Sequence, residues 1–249
     1  LRIASGIAGR VSALALGWWA CAVIAVLPSN AALAPFLGTV GAVPAPPWTY
    51  ASLPEQKLAR TRITIDSDKG STVLRVEAIA SYGNLIHRID RAGDGVLTWR
   101  WKVERPLRSS DLRSRQGDDV ALKVCALYAM PRQAVPFVER QLLRLAELRT
   151  GESLPAATLC YVWDLNWPEG TLLANVYSRR VRYITLGQPG SLWQTVRRDL
   201  GADFLRAFGE ESGSVPQLQA IAVGADADNT GGSSLGFIAD LQLLDAMRR

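Results

Sequence analysis

Residues 96–103 read VLTWRWKV, so that Trp99, Trp101 and Val103 alternate with Thr98, Arg100 and Lys102. A period of two places the two sets on opposite faces of an extended strand, which is the mark of a half-buried β-strand with one aromatic and one cationic side. The same signal recurs on either side of this stretch. Residues 62–66 (RITID) and 72–80 (TVLRVEAIA) flank the turn Ser67-Asp68-Lys69-Gly70 and read as a hairpin. Residues 120–127 follow a Gly117-Asp118-Asp119 turn, and 159–163 (LCYVW), 175–177, 181–185, 220–225 and 236–243 bring the total to about nine strands. Short strands at this density predict a mainly β fold, a jelly-roll-like antiparallel β-sandwich.

Two peripheral or inserted helices interrupt the strands. Residues 137–150 carry Val138, Leu142, Leu145 and Leu148 near helical spacing; residues 191–208 carry Trp193, Val196, Leu200, Phe204 and Phe208 as one stripe, with Gly209 as the stop. Both stripes predict packing against the sandwich. Arg140, Arg144 and Arg149 give the first helix a second reading, in which it faces a partner or a membrane surface.

Of the 249 residues, 48% are hydrophobic, enough for a core and no case for disorder. The net charge of +5 comes without a dense Lys/Arg run, so nucleic acid is not an expected partner. His87 is the one histidine, which excludes zinc sites built on several histidines and makes any histidine-based triad depend on it.

Arg2 and Arg10 precede an apolar stretch, residues 11–27, followed by Pro28 and the small residues Ser29-Asn30-Ala31. That order is an export signal with cleavage after Ala31; the alternative is an uncleaved anchor that tethers the chain to the membrane through residues 11–27. Either way the expected location is periplasmic or otherwise extracytoplasmic. Residues 1–31 are thus leader or anchor, 32–47 a Pro/Ala/Gly-rich linker, and 48–249 a single sandwich domain. Cys125 and Cys160 lie in apolar strand-like runs and either pair in an oxidising compartment or stay as buried thiols.

The ordered series Trp48-x-Tyr50, LRVEA (74–78), WRWKV (99–103), GDDVALKV (117–124), LCYVW (159–163), Trp193…Arg197…Asp203…Phe208-Gly209, IAVGADADNTGG (221–232) and FIADLQL (237–243) resembles the bacterial family of domain of unknown function 3047. The resemblance implies an exported β-rich domain similar in shape to the jelly rolls of carbohydrate-binding modules, and it brings no catalytic residues. The chain departs from the pattern in the glycine-rich tip formed by Gly231-Gly232.

Three functional readings follow. Arg75 with Glu77, Arg100 with Lys102, and Tyr161 with Trp163 each share a strand face. On one sheet they form a groove of charges and rings suited to a polysaccharide or similar polar ligand; otherwise they are an ordinary solvated face. This non-catalytic envelope binding module is the leading expectation. The second is a membrane-anchored structural subunit of an envelope complex, and the third a glycan hydrolase using Glu77 with Asp118 or Asp119. There is no nucleophile elbow, Gly-rich phosphate loop or metalloprotease helix to support other chemistries. Asp226, Asp228, Asn229 and, one strand on, Asp240 supply oxygens of the kind calcium takes, although a hairpin turn uses the same residues. A structural calcium is therefore one expectation and a capped turn the other.

Overall fold

The computed structural model describes residues 32–51, 56–151, 153–187 and 191–246. The export signal or anchor read in residues 1–31 lies outside them. In chain order the elements are β1 (Thr49–Ala51), β2 (Ala59–Arg60), β3 (Arg62–Asp68), β4 (Ser71–Ile79), β5 (Ser81–Arg91), β6 (Val96–Arg105), β7 (Val120–Tyr128), α1 (Phe137–Thr150), β8 (Ala157–Val162), β9 (Leu172–Ala174), β10 (Val181–Thr185), β11 (Gln194–Asp199), α2 (Leu200–Phe208), β12 (Leu218–Asp226) and β13 (Ser233–Leu244). They form a sandwich of two sheets. One has five strands in the order β11-β6-β13-β4-β3; the other has eight, in the order β1-β5-β12-β7-β8-β10-β9 with β2 beside β5. Pairing is antiparallel except for β8 with β10 and β2 with β5.

The β3–β4 hairpin turns at Lys69 (φ 50°) and Gly70 (φ 83°), both left-handed, as a two-residue turn between right-twisting strands requires. β6 buries Leu97, Trp99, Trp101 and Val103 and leaves the alternate residues half-buried, as its sequence pattern predicts. Across the interior these rings meet β8: Trp99 lies 5.3 Å from Tyr161 and Trp101 lies 5.5 Å from Trp163, centroid to centroid. At one end Phe204 and Phe208 of α2 extend this aromatic core, with Phe204 4.7 Å from Tyr128.

Three sequence expectations change. Residues 32–47 are not a free linker: Leu33 and Phe36 are buried, Gly41 and Ala42 bond to both polar groups of Ile65, and Trp48 donates its indole N–H to the Ala34 carbonyl (3.0 Å). His87 accepts the Ala34 amide at Nε2 (3.1 Å), and burial keeps its imidazole below the usual pKa, so the lone histidine holds the neutral form as a strap for this segment. Helix α2 starts only at Leu200. The preceding residues pair with the open edge of β6 as strand β11, from Gln194↔Trp101 to Asp199↔Val96. A free sheet edge outweighs helical spacing here, and Asp199 then caps α2 by accepting the Ala202 amide (2.9 Å). Helix α1 packs through Leu143, while its expected inward stripe faces solvent. Cys125 and Cys160 are opposed on β7 and β8 and form a disulfide.

Candidate functional site

The outer face of the five-stranded sheet brings together four of the six side chains singled out from sequence. Strand register sets Arg75, Phe237 and Lys102 side by side on β4, β13 and β6, with Glu77 one step to one side of that row and Arg100 one step to the other, on the same face. The charges are interlaced. Arg75 binds Glu77 at 2.8 Å, Arg105 reaches the same carboxylate at 3.9 Å, Lys102 binds Glu104 at 2.9 Å and Arg100 binds Asp240 at 2.5 Å. The hydrogen bond from Arg75 is the main reason the Glu77 carboxyl lies below its ordinary pKa, so Glu77 stays ionised and cannot serve as a general acid near neutral pH.

The ring on this face comes from Trp193, not from β8. Its indole N–H donates to Asp68 (2.5 Å), and its half-buried ring lies 5.1 Å from the Arg100 guanidinium and 5.3 Å from the Lys102 ammonium. Lys102 also lies 4.6 Å from the Phe237 ring. Beside Arg75 a shallow depression of about 200 Å³ is lined by Val40, Gly41, Arg62, Thr64, Ile65 and Asp66. Sequence pattern missed Trp193 because it was counted in a helical stripe. Tyr161 and Trp163 do not reach this surface: they are core residues, 0% and 3% exposed, on the inner face of the other sheet.

The outer face of the eight-stranded sheet holds a second polar cluster, only partly visible in the sequence. Lys123 of β7 and Asp226 of β12 are both buried and bonded at 3.0 Å, and Asp226 also accepts the Val120 amide (2.9 Å). The Lys123 ammonium lies 5.1 Å from the Tyr82 ring. Burial works against that ammonium, but Asp226, Tyr82 and Asp118 together outweigh it and hold the Lys123 pKa above its usual range. The readable signal was Lys123 itself, since a lysine inside VALKVCALY can be buried only with a carboxylate opposite.

The neighbours Asp118 and Asp119 diverge, as alternation requires. Asp119 accepts from the Asn229 amide (3.1 Å), the Thr230 amide (2.7 Å) and the Thr230 hydroxyl (2.6 Å), and so ties down the β12–β13 loop. Asp118 accepts from Asn175 (2.5 Å) and from the Tyr183 hydroxyl (3.4 Å). Neither meets Glu77, which is on the other sheet, so the carboxylate pair expected for a hydrolase does not form. The four expected calcium donors do not all converge: Asp228 lies near Asp226 and Asp119, and burial and then their charges raise its carboxyl above the ordinary value, but Asp240 is on the other sheet. Asp226 is held by Lys123, Asn229 bonds Asp118 and Asp119, and Asp240 is in the five-stranded sheet with Arg100. Among the described residues no group of three or more His, Cys, Asp or Glu is placed to hold a metal ion. The turn-capping alternative describes this loop.

Burial, reinforced by the charge on Asp226, pushes the Asp118 carboxyl up from 3.8 to about 6. Because the folded value is the higher one, the folded state binds the extra proton between those values. Stability conferred by that proton is present at low pH and is lost as pH rises through about 6. Asp118→Asn keeps an acceptor for Asn175 without the charge. It is expected to stabilise the protein by about 1–2 kcal/mol at neutral pH and by nothing near pH 4, read from urea midpoints at the two pH values. Equal midpoint shifts at both would show that this carboxyl does not titrate in that range.

The sequence model of a family described as "Protein of unknown function (DUF3047)" matches residues 46–242. No curated protein matches the chain. Among the solved structures that show weak likeness are three glycoside-hydrolase domains. A thermostable variant of the Cel12A cellulase of Rhodothermus marinus aligns at TM-score 0.40 and 14% identity, over 80% of this chain and 96% of its own. The xyloglucanase domain of NopAA from Sinorhizobium fredii, solved with cellobiose, aligns at 0.41 and 9%, over 80% and 98%. The family 12 xyloglucanase from Bacillus licheniformis aligns at 0.39 and 7%, over 80% and 100%. Likeness at this level carries nothing about substrate or mechanism.

Proposed function

The chain belongs to the DUF3047 family of proteins of unknown function, and from that premise we propose that it is an exported, non-catalytic envelope module that binds a polysaccharide or similar polar ligand on the outer face of the five-stranded sheet. The reading rests on one observation: Arg75, Glu77, Arg100 and Lys102 share that face with the half-buried ring of Trp193. Interlaced cations and carboxylates offer fixed donors and acceptors to sugar hydroxyls, and an indole offers a flat apolar surface to the C–H face of a pyranose ring. The surface is already ordered by its own ion pairs, so binding would cost little side-chain entropy. Extracytoplasmic location is supported by the basic-apolar-small order of the N-terminal sequence and by the Cys125–Cys160 disulfide, a bond that persists where the medium is oxidising.

Hydrolysis draws less support, because Glu77 is held ionised by Arg75 and the partner carboxyl expected for it, Asp118, is on the other sheet, 4% exposed and bonded within the fold. The test is a glycan array of neutral and acidic polysaccharides probed with the purified chain, followed by titration of each hit. Trp193→Ala and the pair Arg100→Gln, Lys102→Met are each expected to weaken the best hit about tenfold or more, since about 1.4 kcal/mol of lost contact is a factor of ten. Because Trp193 and Lys102 are half-buried, some loss of stability is expected, and affinities are compared well below each variant's urea midpoint. A native chain that binds no glycan, or variants that bind unchanged, would remove this reading.

A further inference from the structure

Helix α1 turns outward the side that a helix of a folded domain ordinarily buries. Phe137, Val138, Leu142, Leu145 and Leu148 are 66%, 66%, 56%, 45% and 74% exposed, while Leu143 is the one apolar side chain of the helix that is buried. At roughly 100° per residue, those five fall within an arc of about 140° on one side of the cylinder. Apolar side chains scattered singly over a surface need no explanation, but a continuous stripe along a helix does.

The charges of α1 are sorted by the same division. Its carboxylates turn inward: Glu139 is 3.7 Å from Arg180, and Glu147 pairs with Arg132 and accepts the Leu154 amide (2.8 Å). Arg140 and Arg144 border the apolar arc on one side and Arg149 lies within it near the other edge, and none forms an ion pair with a carboxylate among the described residues. The Arg140 guanidinium lies 5.8 Å from the Phe137 ring, at the border of the arc. The exposed side of α1 is therefore mainly apolar, interrupted by Gln141, and its charged groups are all cationic.

We propose that this face of α1 docks on an anionic membrane surface, with its apolar arc in the headgroup–acyl boundary and its arginines against lipid phosphates. The charge pattern selects the occupant. A second copy would set two sets of arginines against each other with no carboxylate between them, which disfavours a symmetric helix pair. Lipid supplies what the face lacks, namely a continuous anionic layer over an apolar one, and long arginine stems can lie along the apolar arc while their heads reach the phosphates. No helix among the described residues is long and apolar enough to cross a membrane, so the contact is one of lying on the bilayer. The inference is independent of the glycan-binding reading and concerns a different element of the fold.

The experiment labels the full chain at Leu145→Cys, in a Cys21→Ser background, with a polarity-sensitive fluorophore, which reports on α1 wherever the rest of the chain is held. The expected result is a blue shift on mixing with phosphatidylcholine–phosphatidylglycerol vesicles, its absence with phosphatidylcholine alone, and its reversal by high salt. The Arg140→Gln, Arg144→Gln, Arg149→Gln triple variant is expected to need about a hundredfold more anionic lipid for the same shift, since each arginine near such a surface contributes about a fivefold factor. Leu145, Arg144 and Arg149 are exposed and Arg140 is partly so, and a retained urea midpoint confirms the fold. No shift with any vesicle would overturn the proposal, as would a shift in the absence of lipid, which would assign the face to a second copy or to another segment of the chain. Capture of the face by an acidic protein with no response to anionic vesicles would overturn it as well.

Discussion

Replacing Trp163 with alanine is expected to lower the free energy of unfolding by about 3–5 kcal/mol, the range seen when a large aromatic is deleted from a core. The indole is 3% exposed and packs 5.5 Å from Trp101 at 70°, within a layer that continues through Trp99 to Tyr161. Its N–H has no hydrogen-bond partner among the described residues, so truncation removes apolar contact and leaves no acceptor orphaned. Trp163→Phe keeps a ring in the layer and should cost clearly less than alanine, because much of the same cavity remains filled. The measurement is urea unfolding: the midpoint should fall while the slope stays constant, since the surface exposed on unfolding is nearly unchanged. Glycan affinity, read well below the midpoint, should match the parent. Lost affinity with an unchanged midpoint would put Trp163 back on a ligand surface.

That residue also shows where the sequence stops being legible. Alternation tells which side chains share a face; it tells which face is inward only where the other face is wet. In β6 the odd positions are buried and the even ones are not, so the assignment of Trp99 and Trp101 to the core followed from the pattern alone. In β8 all six residues are buried, because the disulfide, Leu112, Leu173 and neighbouring side chains cover the outer side as well. Nothing in LCYVW could then say whether Tyr161 and Trp163 looked inward or outward. The sandwich class and the pairs Arg75 with Glu77 and Arg100 with Lys102 were accessible because they depend on local period; that the two pairs share one sheet depends on β13 pairing with both strands. Trp193 was not, because its position is decided by a long-range event, the pairing of β11 with the β6 edge. The calcium expectation failed for a related reason: the residue that neutralises Asp226 is Lys123, more than a hundred positions earlier in the chain. Spacing within a loop cannot reveal a partner that the topology delivers from another strand.

Lys123 and Asp226 offer the sharpest energetic test of the fold. Lys123→Met alone leaves the Asp226 carboxylate buried without its cation and within reach of the Asp118 charge, and is expected to cost about 3–5 kcal/mol. Asp226→Asn alone strands an ammonium that is 7% exposed and should cost a similar amount, although the Val120 amide keeps an acceptor. The double variant removes both charges together. It should recover most of the loss and lie within about 2 kcal/mol of the parent, because a desolvated ion pair contributes far less than the penalty for breaking it. The single Lys123→Met variant should also acquire a pH dependence. With its cation gone, a buried Asp226 carboxyl already raised by burial is raised further, so the folded state holds a proton that the unfolded chain releases. Stability is then greater at mildly acidic pH and falls as pH rises through that folded value, the opposite of the behaviour of a salt-bridged carboxylate. Urea midpoints of the four proteins at about pH 5 and about pH 8 give both the coupling and its pH dependence. Additive losses in the double variant would mean that Lys123 and Asp226 are each stabilised by something other than the other.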